Sequence, residues 1–204
     1  GIKAEAFDPD GRSVVGEKGE LVCTAPMPSM PLYFWNDPDG EKYRSAYFNV
    51  YPNVWDHGDY VEITDTGGAI MYGRSDSVLN PGGVRIGTAE IYRQVEGLAE
   101  IADSVVIGQQ WQDDTRIVLF VKPAEGVSLT EDLVKKIRDP IRRNATPRHV
   151  PAKIIAIGDI PYTISNKKVE KAVANMVHGE PVPNLDALAN PESLELYRDL
   201  EELK

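Results

Sequence analysis

Three short stretches carry residues whose types and spacing can do chemistry. In Trp55-Asp56-His57-Gly58-Asp59, a Gly-Asp pair enters a strand-like run and can point a carboxylate into a cleft. A carboxylate accepts two hydrogen bonds side by side, which suits vicinal hydroxyls, whereas a turn aspartate capping backbone amides is the commoner account of this pair alone. His57 beside it reads as a turn or surface residue and is given no catalytic role. The second stretch, Gly73 to Ile86, holds Arg74, Asp76, a Gly82-Gly83 pair and Arg85. Arg74 either reaches ribose or phosphate oxygens or forms a loop ion pair with Asp76, which contributes little. Asp76 lies between a strand pattern and a Gly-Gly loop, where a pivot can absorb a large φ/ψ change. Gly82-Gly83 is a plain turn, or a loop whose missing side chains leave room for a thin ligand. Arg85 is a phosphate contact or a solvated strand residue.

The third stretch is Ile160-Pro161-Tyr162-Thr163-Ile164-Ser165-Asn166-Lys167-Lys168-Val169. Its Pro, Thr, Ser and Asn residues prescribe a loop with Lys167 at the end. A flexible ammonium there can neutralise charge that develops when a carboxylate attacks a phosphate. The role is electrostatic, because a group with a pKa near ~10.4 is a poor base at neutral pH. Two solvated lysines at a helix start explain the bare residues as well. Arg138, Arg142, Arg143, Arg148 and His149 form a basic cluster that suits phosphate or balances an acidic surface.

These stretches need elements to position them. Residues 1–72 read as β-rich: a strand over Gly19 to Thr24, irregular chain around Pro26, Pro28 and Pro31, and a short helix over Asp39 to Phe48 with Asp39 as cap. Asp59 to Ile63 alternates polar and apolar, and Ala69 to Tyr72 pairs back on it across a Thr66-Gly67-Gly68 turn. Residues 73–83 are the best boundary. Beyond them, Thr88 is expected to cap a helix with Ile91, Val95 and Leu98 on one face. Ala102 to Ile107 and Ile117 to Val121 read as a hairpin. Thr130 opens a helix that Pro140 bends or interrupts. Lys153 to Ile157 is a strand, Lys167 to Val177 a helix, and Pro191 or Ser193 starts a last amphipathic helix. The expected class is α+β: a β-rich end of a large domain over residues 1–75, then a small domain over 76–204 with a short sheet flanked by helices.

With 204 residues and 42% hydrophobic content the chain can bury a core. A net charge of −10 argues against non-specific nucleic-acid binding and against anionic membranes. Cys23 is the only cysteine, so no intrachain disulfide forms, and a reducing cytoplasmic setting is expected. No apolar run reaches the ~20 residues of a membrane helix. The start Gly1-Ile2-Lys3, without Met, suggests a piece of a longer protein.

The order of the three stretches resembles the adenylate-forming superfamily of acyl-CoA synthetases, luciferases and adenylation domains. His57-Gly58-Asp59 is similar to its Thr-Gly-Asp motif. Gly73-Arg74-Ser75-Asp76 with Gly83-Val84-Arg85-Ile86 and Ala89-Glu90-Ile91 is similar to its hinge motif. Pro161 to Lys167 resembles its terminal Pro-Lys-Thr-x-Ser-Gly-Lys motif, with Tyr162 in place of lysine and Asn166 in place of glycine. The tail, Gly179 to Asn184 and Ala187 to Leu194, resembles the C-terminal extension of the acetoacetyl-CoA synthetase family. That resemblance implies an acid-thiol ligase acting on acetoacetate, ATP and CoA, with Mg²⁺ held by ligands outside this chain. It implies Asp59 on the ribose with Arg74 and Arg85 at the nucleotide, Asp76 as hinge, Gly83 along the pantetheine arm, Arg138 at the CoA nucleotide, and Lys167 as the catalytic residue of adenylation. The ATP phosphate loop and the acyl pocket are missing, so the chain is expected to be a C-terminal fragment, inactive alone, whose partner is the N-terminal part of the same protein. Another short-chain acyl-CoA synthetase and a non-catalytic interaction module remain open alternatives.

Overall fold

A five-stranded antiparallel sheet, order β2-β1-β3-β4-β5, organises residues 1–76. The computed structural model describes all 204 residues, which divide into two units, Gly1–Asp76 and Ser77–Lys204. In the first unit the strands are β1 (Ala4–Phe7), β2 (Ser13–Val14), β3 (Lys18–Cys23), β4 (Trp55–Ile63) and β5 (Ala69–Arg74). Ala6, Val22 and Val61 are fully buried, each valine stabilising by ~1.5–3 kcal/mol. Cys23 is buried beside them. The alternation expected in β4 fails at Tyr60–Val61, where both residues are buried. A bulge lies there: Tyr60 pairs with Gly73 and Val61 with Met71, so Tyr72 of β5 is the extra residue. Beyond it, Asp59 faces Arg74 across the β4–β5 ladder.

Helix α1 (Glu41–Tyr47) packs its aromatic residues on Trp55, whose ring stacks on Tyr47 at 3.9 Å. The expected cap, Asp39, is not the cap. Asp37 accepts from the Lys42 and Tyr43 amides at 3.0 and 2.9 Å. A left-handed Gly40 sets the chain so that the earlier carboxylate overhangs the first turn.

In the second unit, β6 (Ile101–Trp111) and β7 (Asp114–Pro123) form an antiparallel hairpin, and β8 (Lys153–Ala156) adds in parallel beside β7. The hairpin turn is Gln112-Asp113, with φ of 48° and 64°, the positive pair a two-residue turn needs. The unbroken apolar run Ile117–Val121 is explained by burial on both faces of this central strand. Ile117, Leu119 and Val121 face helices α2 (Thr88–Val95) and α3 (Glu131–Asn144), with Ile91, Val95, Leu133, Ile137 and Ile141. Val118 and Phe120 face α4 (Glu170–His178) and the tail, with Val173, Met176, Leu194 and Tyr197.

Several helix boundaries differ from expectation. Thr88 is the first helical residue of α2, not its cap; Gly87 takes that place, and Glu90 Oε1 accepts from its amide at 3.0 Å. Leu98 lies beyond the end of α2. Of the two outcomes expected at Pro140, a bend or an interruption, the interruption does not occur, and α3 runs on to Asn144. Proline inside a helix costs ~3 kcal/mol, and burial of Leu133, Ile137 and Ile141 offsets it. Thr130 does cap α3, its side chain accepting from the Leu133 amide at 3.3 Å. Helix α4 starts at Glu170, so Lys167 lies on the preceding loop. The last helix is a 3-10 segment, Pro191–Tyr197, not an α-helix. No helix is long and apolar enough to cross a membrane.

Candidate functional site

In the first unit the β4–β5 register brings together the Gly-Asp pair and the arginine. Asp59 Oδ1 accepts from Arg74 Nη1 at 3.3 Å, and Asp59 Oδ2 lies 2.5 Å from His57 Nδ1. Arg74 Nη1 also donates to the His57 carbonyl at 3.3 Å, and its Nε lies 3.9 Å from Asp76 Oδ1. Gly58 is required here. Its φ is +76°, and a Cβ would sit 2.7 Å from Arg74 Nη2. The chain thus presents a carboxylate whose two oxygens are oriented by a cation and a histidine, with lone pairs still available. Asp56 next to it is pushed up from the usual carboxylate range, chiefly by burial. Asp76 closes the cluster on a 3-10 turn, Ser75–Ser77, and is the last residue of this unit.

The other residues singled out in the sequence belong to the second unit. The Gly82-Gly83 loop is tied at its base by Leu79 and Ile86, which exchange backbone hydrogen bonds of 2.9 and 2.8 Å. Asp114, at the start of β7, holds its tip: the Gly82 amide donates to Asp114 Oδ1 and Oδ2 at 2.9 and 3.1 Å. The amides of Gly82 and Thr115 keep the Asp114 carboxyl below its ordinary range. Gly82 and Gly83 have φ of +58° and +76°, and no atom lies within 4 Å of the Cβ either would carry. The loop is therefore held firmly from below and open above. Arg85 follows at a half-buried position next to fully buried Ile86. No sequence signal marked Asp114, because its partner is 32 residues away.

Lys167 ends a tight turn. The Thr163 amide donates to the Lys167 carbonyl at 2.8 Å, and the Lys167 amide returns to Thr163 Oγ1 at 3.0 Å. Asn166 takes φ +61°, a left-handed angle that asparagine tolerates. Lys167 is exposed and its ammonium has no ion-pair partner. Lys168, its neighbour, has the opposite environment. It pairs with Glu96, with Asp103 Oδ1 at 2.9 Å, and lies over the Tyr92 ring. Tyr162 OH donates to Asp103 Oδ2 at 2.8 Å. Burial, then Asp103, pushes the Tyr162 phenol well above its ordinary range, so it stays a neutral donor.

These two loops hang on opposite ends of one strand. The Gly82-Gly83 loop is bound to the β6–β7 turn through Asp114, the partner of Trp111. The Lys167 turn is bound through Lys168 and Tyr162 to Asp103 near the start of β6. From Asp103 to Trp111 a strand rises by roughly 26 Å at ~3.3 Å per residue. Arg138 joins neither loop. Its Nη2 donates to the Ala152 carbonyl at 3.2 Å, where α3 meets β8, and its Nε is buried without a partner. His149 leaves the basic cluster, since it is buried between Thr146 at 2.8 Å and Glu90 at 3.3 Å.

No group of three or more His, Cys, Asp and Glu is arranged to hold a metal ion.

No family model matches the chain. Over its whole length it is 60% identical to the acetoacetyl-coenzyme A synthetase of Rhizobium meliloti (strain 1021), and 52% identical to that of Rattus norvegicus. Along its whole length the chain is similar to one part of the acetoacetyl-CoA synthetases. It spans 31% of the length of these two relatives. A solved acetoacetyl-CoA synthetase from Streptomyces lividans, 42% identical, superposes with a TM-score of 0.90, covering 97% of this chain and 30% of that one.

Proposed function

We propose that this chain is the C-terminal part of an acetoacetate–CoA ligase, comprising the end of its large domain, residues 1–75, and its small mobile domain, residues 76–204. The reaction has two halves. The acetoacetate carboxylate attacks the α-phosphorus of ATP, giving acetoacetyl-AMP and pyrophosphate. The thiol of CoA then attacks the acyl carbon, forming the thioester and releasing AMP and a proton. Asp59 accepts from the ribose hydroxyls, and Arg74 keeps its carboxylate oriented and anionic. Arg85 meets phosphate. Lys167 brings its unpaired ammonium to the charge that develops as the carboxylate attacks. Gly83 gives the pantetheine arm a groove without side chains, and Arg138 meets the CoA nucleotide. Asp76 is the pivot between the two arrangements.

One observation carries this reading. The Lys167 turn and the Gly82-Gly83 loop lie at opposite ends of β6, with Asp103 anchoring one and the β6–β7 turn anchoring the other. One site cannot receive both at once across ~26 Å, so a small domain that serves two half-reactions has to turn between them. The chain by itself lacks the phosphate loop and the acyl pocket and does not turn over.

The deciding experiment is Lys167→Ala in the full-length enzyme. Pyrophosphate exchange, which reports adenylation, falls by ~10²–10³, while thioester formation from supplied acetoacetyl-AMP and CoA persists. Equal loss of both halves overturns the assignment.

A further inference from the structure

The Lys167 turn is held by more than its own backbone. Residues 187–190 run beside its first arm: the Ile164 amide donates to the Ala187 carbonyl at 2.9 Å, and the Ala189 amide to the Tyr162 carbonyl at 2.8 Å. Thr163 and Leu188 pair between them. Asn190 ends this short ladder and uses its whole amide. Its Oδ1 accepts from the Tyr162 amide at 2.9 Å. Its Nδ2 donates to Asp159 Oδ2 at 2.7 Å and to the Ile160 carbonyl at 2.9 Å. Asp159 is fixed in turn, since its Oδ1 accepts from Lys122 Nζ at 2.7 Å and its carbonyl accepts from Tyr197 OH at 2.8 Å. Ser193 Oγ donates to the Asn190 carbonyl at 2.7 Å.

The other arm of the turn is anchored by Lys168 on Glu96 and Asp103. Between the two anchors, Ile164, Ser165, Asn166 and Lys167 stand exposed. The position of the Lys167 ammonium therefore depends on both feet of the turn. One foot is supplied by a residue 23 positions further along the chain.

We propose that Asn190 is a positioning residue for adenylation: it fixes residues 160–162 and so sets where the Lys167 ammonium is delivered. This rests on the adenylation role assigned to Lys167 above. Asparagine suits the position because one acceptor and two donors are needed at short reach. Aspartate loses both donors and sets a second carboxylate against Asp159. Glutamine is a methylene too long. A displaced catalytic charge is costly, and a shift of about 1 Å can lose ~10²-fold in rate.

The test is Asn190→Ala in the full-length enzyme, beside Lys167→Ala. Pyrophosphate exchange with acetoacetate falls ~10–100-fold, and thioester formation from supplied acetoacetyl-AMP and CoA stays within about twofold of wild type. Amide hydrogen exchange across residues 160–168 speeds up without nucleotide present. Should Asn190→Ala fail to fold, Asn190→Ser, which is small, polar and uncharged, is read in the same way. The proposal is overturned if Asn190→Ala leaves pyrophosphate exchange intact while Lys167→Ala abolishes it, or if both half-reactions fall together. Survival of exchange in Lys167→Ala sinks the adenylation assignment itself, and with it this role for Asn190.

Discussion

Asp59, Arg74 and Gly58 form one device, and its weakest member is the glycine. Alanine at position 58 would hold a side chain at a φ of +76° and press its Cβ to 2.7 Å from Arg74 Nη2. The guanidinium can swing away, so the clash costs little, but it then leaves Asp59. Gly58→Ala is expected to destabilise the first unit by ~1–2 kcal/mol through the left-handed backbone, and to raise the KM for ATP in the full-length enzyme. Thermal melting and initial-rate kinetics check the two effects separately. Residue types and spacing alone leave Asp59, Arg74 and Lys167 open to plain structural readings, and the motif resemblance is what singles them out. Their local partners were not legible. The bare sequence gave Lys167 and Lys168 equal standing, and only the approach of Glu96 and Asp103 from distant elements separates a paired lysine from an unpaired one. Asp114 and Asn190 were silent for the same reason, since their partners lie 32 and 28 residues away.

At the scale of elements, period and turn chemistry were strong guides. The β6–β7 hairpin, the Thr130 cap and the β4–β5 pairing follow from local sequence. Boundaries failed where tertiary contacts decide them. Asp37 displaces Asp39 because a left-handed Gly40 intervenes. Pro140 stays inside α3 because that helix buries Ile137 and Ile141 on either side of it. The Gly82-Gly83 loop yields a prediction at this scale. The Asp114 carboxyl is lowered by the Gly82 and Thr115 amides, so its stabilising effect is full above the ordinary carboxylate pKa of ~3.9 and is lost as pH falls through the still lower folded value. Asp114→Asn should therefore melt below wild type at pH 7, and the gap should close in acid. A constant gap from pH 7 to pH 2 would contradict the anionic clamp.

At the scale of the molecule, the two units are held together by different means. The second seals its sheet from both faces, with α2 and α3 on one side and α4 with the tail on the other. Tyr197, fully buried against Phe120 at 4.9 Å, makes the tail part of that core rather than an appendage. The first unit has one sheet, one short helix and a cluster of rings around Trp55.

The first unit also carries the only thiol. Cys23 is 6% exposed, at the wall of a pocket it shares with Tyr43 and Trp55, and burial raises its pKa, so little thiolate forms and a reagent reaches it slowly. An alkylating probe added to the folded protein therefore acts as a clock. Its rate of incorporation should rise with substitutions that loosen β3. Nature has left one chemical reporter in this chain, and it sits in the unit that holds Asp59.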